Sequence, residues 1–248
     1  MTDCNPPTRA RRSRIGFAIL VFGAVAAGGC RSAAPLLAPA DLEAAREHLE
    51  RPVKGDPAAL YRLRAAGAGG LKMALLTSGG EGRLTISQPF GAAASITTWR
   101  DGEPPVYFDL REGCRLEAVD LSQVLGIGAM PLPQAIRLLV GRLPTAGTDR
   151  SSVEDGSGLL IQGQGWSARV EVAPEPWRIL AVRELSGGGD GWRIELGDHI
   201  GSVPGSIRIH RSDGRWAELE LLSLQWNDAP ELPVVPDLPR CEDLDRGP

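Results

Sequence analysis

The fold is decided by the run Leu71-Lys-Met-Ala-Leu-Leu-Thr-Ser-Gly-Gly-Glu-Gly-Arg-Leu-Thr-Ile-Ser87. In its second half, Leu84 and Ile86 alternate with Arg83 and Thr85. Such an alternation of apolar and polar residues is typical of a strand that buries one face. The glycines in the middle of the run indicate a turn between two such segments. We therefore interpret the run as two neighbouring antiparallel strands with one apolar side.

The same period of two recurs over most of the chain. We predict about eleven strands, at residues 72–77, 83–87, 95–100, 106–110, 115–119, 159–162, 167–172, 177–185, 192–196, 206–211 and 216–225. The sequences Gly187-Gly-Gly-Asp190-Gly191 and Asp213-Gly214 favour hairpins between later strands. In the last run the apolar positions change phase after Leu221, which indicates a bulge or a strong bend.

Four segments carry helical signals instead. Asp41 is a candidate N-cap, and Asp56 followed by Pro57 is typical of a helix start. Gly141 follows an apolar helical face and indicates a helix end. The predicted helices span residues 41–50, 56–67, 120–126 and 134–140.

These elements predict an α+β fold built on one strongly curved antiparallel sheet. The sheet would form a half-barrel of about eleven strands, with helices covering its concave face. We assign residues 41–226 to one domain, because neither half of the chain has enough helix to cover its own apolar face. Residues 227–248 contain five prolines and no periodicity, so we predict an extended C-terminal tail.

The N-terminus has the features of a secretion signal. Four arginines precede the apolar or small stretch Ile15–Gly29, which runs directly into Cys30. Fifteen residues are too few to cross a hydrocarbon core of about 30 Å. A basic region, a short apolar region and a small-residue exit predict a removable signal peptide over residues 1–29.

Two cleavage schemes fit this signal. Ala26-Ala-Gly-Gly-Cys30 resembles a bacterial lipobox, in which the cysteine is acylated and becomes the new N-terminus. Residues 30–40 would then be a lipidated tether. In the lipoprotein families that this signal resembles, a residue other than Asp after the cysteine, here Arg31, favours release to the outer membrane. The alternative is ordinary cleavage after Ala24-Val-Ala26, which would leave Cys30 as a plain thiol.

Two of the four cysteines form a candidate disulfide pair. After the signal peptide and Cys30 are set aside, Cys114 and Cys241 remain. In an oxidising compartment such a pair predicts a disulfide, which would join the tail to the domain. The alternative is two unpaired thiols.

The segment that starts at Leu125 resembles a known family. Leu125-Gly-Ile-Gly128, Leu132-Pro133 and Ile136 through Pro144 are similar to the helix-and-turn signature of the bacterial lipoprotein localisation factors, the LolA/LolB family, and Gly82 through Pro89 is similar to the strand that precedes it. The resemblance covers residues 55–225 in the order of elements. It implies a half-barrel that binds acyl chains and a periplasmic, lipid-anchored protein at the outer membrane.

This resemblance predicts an apolar cavity as the candidate site. Val124, Leu125, Ile136 and Val140 would lie on a movable lid. The concave lining would comprise Leu84, Ile86, Val106, Phe108, Val170, Ile179, Ile194, Ile207 and Leu219. The alternative for each of these residues is a filled core with no cavity, because apolar alternation alone cannot distinguish the two.

Other function classes receive little support. The net charge is −4, and losing an arginine-rich signal makes the mature chain more acidic, which argues against nucleic acid as a partner. The three histidines lack the spacing of metal ligands, no dinucleotide or phosphate-loop motif is present, and Gly201-Ser202 is not a nucleophile elbow. We therefore predict no enzyme activity, no metal, no cofactor and a monomer. Two hypotheses remain: a carrier or receptor for lipids or lipoproteins, and a structural or interaction lipoprotein of the envelope.

Overall fold

One antiparallel sheet dominates the computed structural model, which describes residues 37–52, 54–65, 68–117, 130–145, 149–154, 158–163, 165–185, 191–228 and 230–244. In these residues the sheet has thirteen strands: β1 Asp56–Ala65, β2 Ala68–Ser78, β3 Glu81–Ser87, β4 Ala93–Arg100, β5 Val106–Asp109, β6 Cys114–Glu117, β7 Arg150–Glu154, β8 Gly158–Gly163, β9 Trp166–Ala173, β10 Arg178–Glu184, β11 Trp192–Gly197, β12 Ser206–Arg211 and β13 Trp216–Asn227. Their spatial order is β6-β5-β4-β3-β2-β1-β13-β12-β11-β10-β9-β8-β7, so the sheet is open, with β6 and β7 at its ends.

The sheet consists of two meanders joined by one long strand pair. β1 pairs with β13 from Asp56 opposite Asn227 to Ala65 opposite Ala217. The register skips Leu222, since Leu60 lies opposite Ser223 and Tyr61 lies opposite Leu221. This bulge confirms the irregularity that the change of phase predicts.

Three helices accompany the sheet in the described residues: α1 Pro39–Glu50, α2 Leu132–Leu139 and the single turn α3 Cys241–Leu244. In α1 the residues Leu42, Ala45 and Leu49 are buried, which is one helical face. The first and last long helices that the sequence predicts are therefore confirmed. The predicted helix over residues 120–126, with Val124 and Leu125, lies outside the described residues.

The predicted helix over residues 56–67 is wrong, because most of this segment forms β1. Asp56-Pro57 is a valid helix start, but Ala59, Tyr61 and Leu63 are buried at a spacing of two. β1 is paired on both sides, with β13 and β2. Two ladders of backbone hydrogen bonds and the burial of Tyr61 outweigh the local helix signal.

The strand count also differs from the predicted eleven. β1 is one addition, and β7 is the other, in a polar segment that lies outside the predicted strands and helices. β7 is an end strand that pairs with β8 alone in the described chain, and the Ser151 hydroxyl contacts the Glu50 carboxylate of α1. A strand exposed on one edge tolerates the serines that hide its periodicity.

The main hydrophobic core lies on one side of the sheet, which we call the inner face. It joins α1 and α2 to alternating residues of β1–β3 and β8–β13. Leu84 of β3 and Ile194 of β11 line the same small space beside α2, although four strands separate β3 from β11 in the sheet order. In a flat sheet they would be about 24 Å apart. Their proximity is consistent with a curved sheet.

Two predicted lining residues lie on the opposite side, which we call the outer face. In the register, Val106 is opposite Thr98, and Thr98 is opposite Arg83, whose neighbour Leu84 points inward. Phe108 is opposite Ile96 in the same way, and neither belongs to the main core. The assignment of Val106 and Phe108 to the concave lining is therefore wrong. Their strand alternates as predicted, but alternation does not say which face is inner.

The C-terminal tail passes along part of this outer face. Residues 230–240, which we call the strap, run from the end of β13 to β6. The Arg83 guanidinium donates hydrogen bonds to the carbonyls of Pro233 and Val234, at 3.0 and 3.3 Å. Strap residues and Val106 line a cleft of about 330 Å³ on this side.

The strap ends on the edge strand β6. Cys114 and Cys241 form a disulfide, with Cα atoms 4.9 Å apart. The Arg115 amide donates to the Pro239 carbonyl at 2.8 Å, and Arg115 and Arg240 form a parallel bridge. The strap thus pairs with backbone groups that an end strand would otherwise expose.

Candidate functional site

Helix α2 is the central element of the candidate site. All of its residues except Pro133 and Arg137 are buried. A surface helix normally buries one stripe, whereas a helix buried on most sides lies inside the protein. The only polar side chain in the buried set, Gln134, donates from Nε2 to the Asp149 carboxylate at 2.7 Å. Six of the eight residues of α2 thus lie among other side chains.

The space between α2 and the inner face is small and entirely apolar. Its volume is about 20 Å³, which is room for about one water molecule. It is lined by Met73, Leu84, Leu132, Ala135, Ile136, Leu138, Leu139, Ile194, Ile207, Ile209 and Leu219. We call these residues the α2 pocket. With α2 in this position the pocket is filled by the helix's own side chains.

One buried hydrogen bond ties α2 to the sheet. The Tyr61 hydroxyl of β1 donates to the Leu139 carbonyl at 3.1 Å. Leu139 is in the last turn of α2, where carbonyls lack partners within the helix. Burial raises the pKa of the Tyr61 phenol, so it remains a donor at neutral pH. Tyr61 therefore satisfies a helix-end carbonyl from inside the core.

The end of α2 is fixed by backbone geometry at Gly141. Gly141 has φ +73°, its amide donates to Leu138, and the Arg142 amide donates to Arg137. These two hydrogen bonds are the Schellman arrangement that ends helices. A Cβ on Gly141 would lie 2.0 Å from the Ser202 carbonyl oxygen. Glycine is thus required both by the positive φ and by the close approach of the β11–β12 turn.

The structure brings together some of the predicted site residues. Leu84, Ile136, Ile194, Ile207 and Leu219 belong to the α2 pocket. Ile86, Val170 and Ile179 are buried in the main core without lining the pocket. Val140 is buried just after α2. Val106 and Phe108 lie on the outer face, and Cys30, Val124 and Leu125 lie outside the described residues.

Sequence reasoning missed part of the pocket. Met73 lies opposite Ile86, and Ile209 lies opposite Ile194, in the strand pairs. Because Ile86 and Ile194 are predicted lining residues, the strand pattern contains the signal for Met73 and Ile209. Tyr61, which contacts α2 without lining the pocket, is missed because its segment has a local helix signal. Once the segment is read as a strand, Tyr61 falls on the same face as Leu63, which is also buried.

His199, one of the three histidines, has a structural contact. His199 Nε2 is 2.8 Å from the Ile179 carbonyl oxygen, so this nitrogen donates and the ring is held by backbone. Partial burial lowers the pKa of His199. Across the described ranges, no group of three or more His, Cys, Asp or Glu side chains could hold a metal ion. Nor is any described helix long and apolar enough to span a membrane.

Comparison with solved structures identifies the fold. A LolA superfamily protein from Nitrosomonas europaea matches with a TM-score of 0.52 and 14% identity, over 78% of this chain and 96% of that one. The chain has the LolA superfamily fold. A domain named an outer membrane lipoprotein-sorting protein, from Vibrio parahaemolyticus, matches with a TM-score of 0.49 and 11% identity, over 77% of this chain and 93% of that one. No protein-family model and no curated protein sequence matches the chain.

The LolA-like fold confirms the resemblance that the run from Leu125 to Pro144 predicts. An identity of 14% establishes the fold alone. Helix α2 lies within that run, and its position against the inner face is the local feature on which the candidate site depends.

Replacing Gly141 with alanine tests how α2 is fixed. We expect Gly141→Ala to lower the free energy of unfolding by clearly more than the about 1–2 kcal/mol of a positive φ alone. The extra loss arises because the new Cβ meets the Ser202 backbone. Urea denaturation measures both values. Gly102→Ala is the matched control, since Gly102 has φ +81° and nothing within 4 Å of its would-be Cβ. Equal losses in the two variants would contradict this account of the helix end.

Proposed function

We propose that the protein binds acyl chains of lipids or lipoproteins between α2 and the inner face of a half-barrel whose concave side the helices cover. The α2 pocket supports this, since every residue that lines it is apolar and the residues come from both the helix and the sheet. The LolA-like fold is the framework for the proposal. A site built from aliphatic side chains and without lining charges suits hydrocarbon rather than a polar ligand.

Binding requires α2 to move. Ligand pockets typically measure about 300–1,000 Å³, whereas the α2 pocket is about 20 Å³. The side chains of Ile136, Leu138 and Leu139 occupy the space that an acyl chain would take. We therefore assign α2 the role of a lid that exchanges its own apolar contacts for those of the ligand. The Tyr61–Leu139 hydrogen bond is lost in this step.

The same proposal assigns the protein to the cell envelope. Cys30 would carry the lipid anchor, residues 30–40 would be the tether, and the domain would stand on the periplasmic side of the outer membrane as a monomer. The disulfide between Cys114 and Cys241 supports an oxidising compartment. The N-terminal sequence supports secretion.

A second function, that of a structural or interaction lipoprotein with a dry core, is favoured by one observation. The α2 pocket is nearly filled, as a permanent core would be. In this alternative α2 never leaves the sheet. Ligand binding by a variant with a loosened α2 distinguishes the two functions.

Tyr61→Phe tests the lid. It removes the hydroxyl that holds Leu139 and keeps the ring, so we expect the closed position of α2 to lose about 1 kcal/mol. Because closed and ligand-bound states compete, the apparent affinity for a fluorescent fatty acid such as cis-parinaric acid should rise about fivefold. A fluorescence titration of the purified chain measures it.

The matched control is Tyr107→Phe. Tyr107 is half-buried on the inner face, and its phenol bonds to the Ser95 side chain rather than to α2. The affinity of the Tyr107→Phe variant for the fatty acid should equal that of the wild type. If the wild type and both variants fail to bind the fatty acid, the structural or interaction lipoprotein is favoured. If all three bind it with equal affinity, α2 is excluded as the lid.

Cys30→Ser tests the anchor separately from the pocket. The substitution removes the thiol that is acylated, so the chain should shift from the membrane fraction to the soluble fraction of the producing bacterium. Immunoblotting of the two fractions measures the shift. An unchanged membrane partition would contradict lipid attachment at Cys30.

A further inference from the structure

A cleft of about 550 Å³ opens beside α2 and differs in character from the α2 pocket. Its helix wall comprises Pro133, Ile136, Arg137, Val140 and Arg142, together with the segment after α1. Its strand wall comes from the start of β1, the β2–β3 and β4–β5 turns and Trp99. We call it the arginine cleft.

The arginine cleft lies next to the α2 pocket. Ile136 lines both. At this point one residue of α2 borders the cleft on one side and the apolar interior on the other. This arrangement, a polar mouth followed by an apolar space, fits an amphiphile whose head and chain need different surroundings.

The helix wall carries the positive charges of Arg137 and Arg142. Arg137 Nε donates to the Leu143 carbonyl at 2.9 Å, and Arg142 Nη1 donates to the His48 carbonyl at 3.0 Å. Within the described part of the chain, neither guanidinium forms a salt bridge with a carboxylate, and the buried Arg142 Nε has no hydrogen-bond partner. Each guanidinium has five N–H donors, and described residues accept a hydrogen bond from one of them in each case.

These cations lie close together in a partly buried setting. Burial lowers the pKa of Arg137, and burial together with the nearby Arg137 charge lowers the pKa of Arg142. Glu50 is the acid that acts on Arg137, and it also pairs with Arg46 at 3.5 Å. Two neighbouring cations removed from water destabilise each other until an anion joins them.

The acids of the cleft lie on the strand side and are partly engaged. Glu81 forms a salt bridge with Arg100 at 2.6 Å, and Asp56 accepts the Gly79 amide at 3.1 Å. Asp101 is the third acid. The cleft thus has a cationic helix wall that faces a strand wall with three acids, of which Glu81 and Asp56 make these contacts.

We propose that Arg137 and Arg142 bind the phosphate of a phospholipid-type headgroup whose acyl chain enters the α2 pocket. The inference rests on the proposed acyl-binding function and adds the headgroup class. Guanidinium groups present paired donors that match phosphate oxygens. Ile136 joins the headgroup position to the chain position.

The test compares three probes on the full-length chain. Lauroyl lysophosphatidylglycerol has both phosphate and acyl chain, monolauroylglycerol has the chain alone, and inorganic phosphate has the anion alone. The variants are the pair Arg137→Gln with Arg142→Gln and the pair Arg137→Lys with Arg142→Lys. Arg111→Gln is the control, since Arg111 is an exposed arginine in the β5–β6 turn. Isothermal titration below the micelle concentration gives each affinity, and urea denaturation reports folding.

The glutamine pair should lower the affinity for the lysophospholipid about tenfold or more and leave the affinity for monolauroylglycerol unchanged. The lysine pair should lose less, because charge and one donor remain at each position. Arg111→Gln should match the wild type with both lipids. The lysine pair also serves if the glutamine pair fails to fold.

Different failures have different meanings. If the glutamine pair lowers the affinity for both lipids equally, or lowers neither affinity, the headgroup site is overturned while acyl binding stays intact. Binding of inorganic phosphate without either lipid would make the cleft a phosphate site and overturn the phospholipid assignment. If neither lipid nor phosphate binds the wild type, the proposed function fails and this inference fails with it.

Discussion

The structure depends on the covering of one apolar sheet face. An open antiparallel sheet that buries alternate residues of most strands on one side must place something against them, because exposed aliphatic surface costs about 25 cal/mol per Å². Helix α2, only eight residues long, meets this need near the middle of the sheet. The Tyr61 hydroxyl and the Gly141 turn fix its end. Stability and the proposed function therefore compete for the same surface, since the contacts that stabilise the closed form are those that an acyl chain would replace.

Within the described residues, the outer face is partly covered by the C-terminal strap rather than by a helix. Apolar residues of β4 and β5, such as Ile96 and Phe108, are buried there without joining the main core. The strap passes along this side, and Arg83 and the Cys114–Cys241 disulfide hold it. The same segment pairs with β6, the end strand at which the sheet would otherwise expose backbone donors and acceptors. The tail thus protects an edge of the sheet, on the side opposite to α2.

Much of this architecture is predictable from the sequence, for identifiable reasons. Strong alternation around Leu84 gives the strands, and a phase change gives the bulge at Leu222. The helix over residues 56–67 is a wrong prediction because Asp56-Pro57 is a local signal, whereas the two ladders of β1 are long-range. Val106 and Phe108 are misplaced because alternation defines two faces without naming the inner one. The size of the α2 pocket depends on how side chains interlock, which periodicity does not encode.

Native mass spectrometry tests most directly whether the inner face shelters hydrocarbon. The chain would be purified, incubated with an envelope lipid extract and sprayed under conditions that retain noncovalent ligands. The account predicts a population carrying one acyl lipid beyond any covalent anchor, and that population should grow with lipid concentration. A single unliganded mass at saturating lipid would contradict it and leave a sheet whose apolar face is covered by α2 alone.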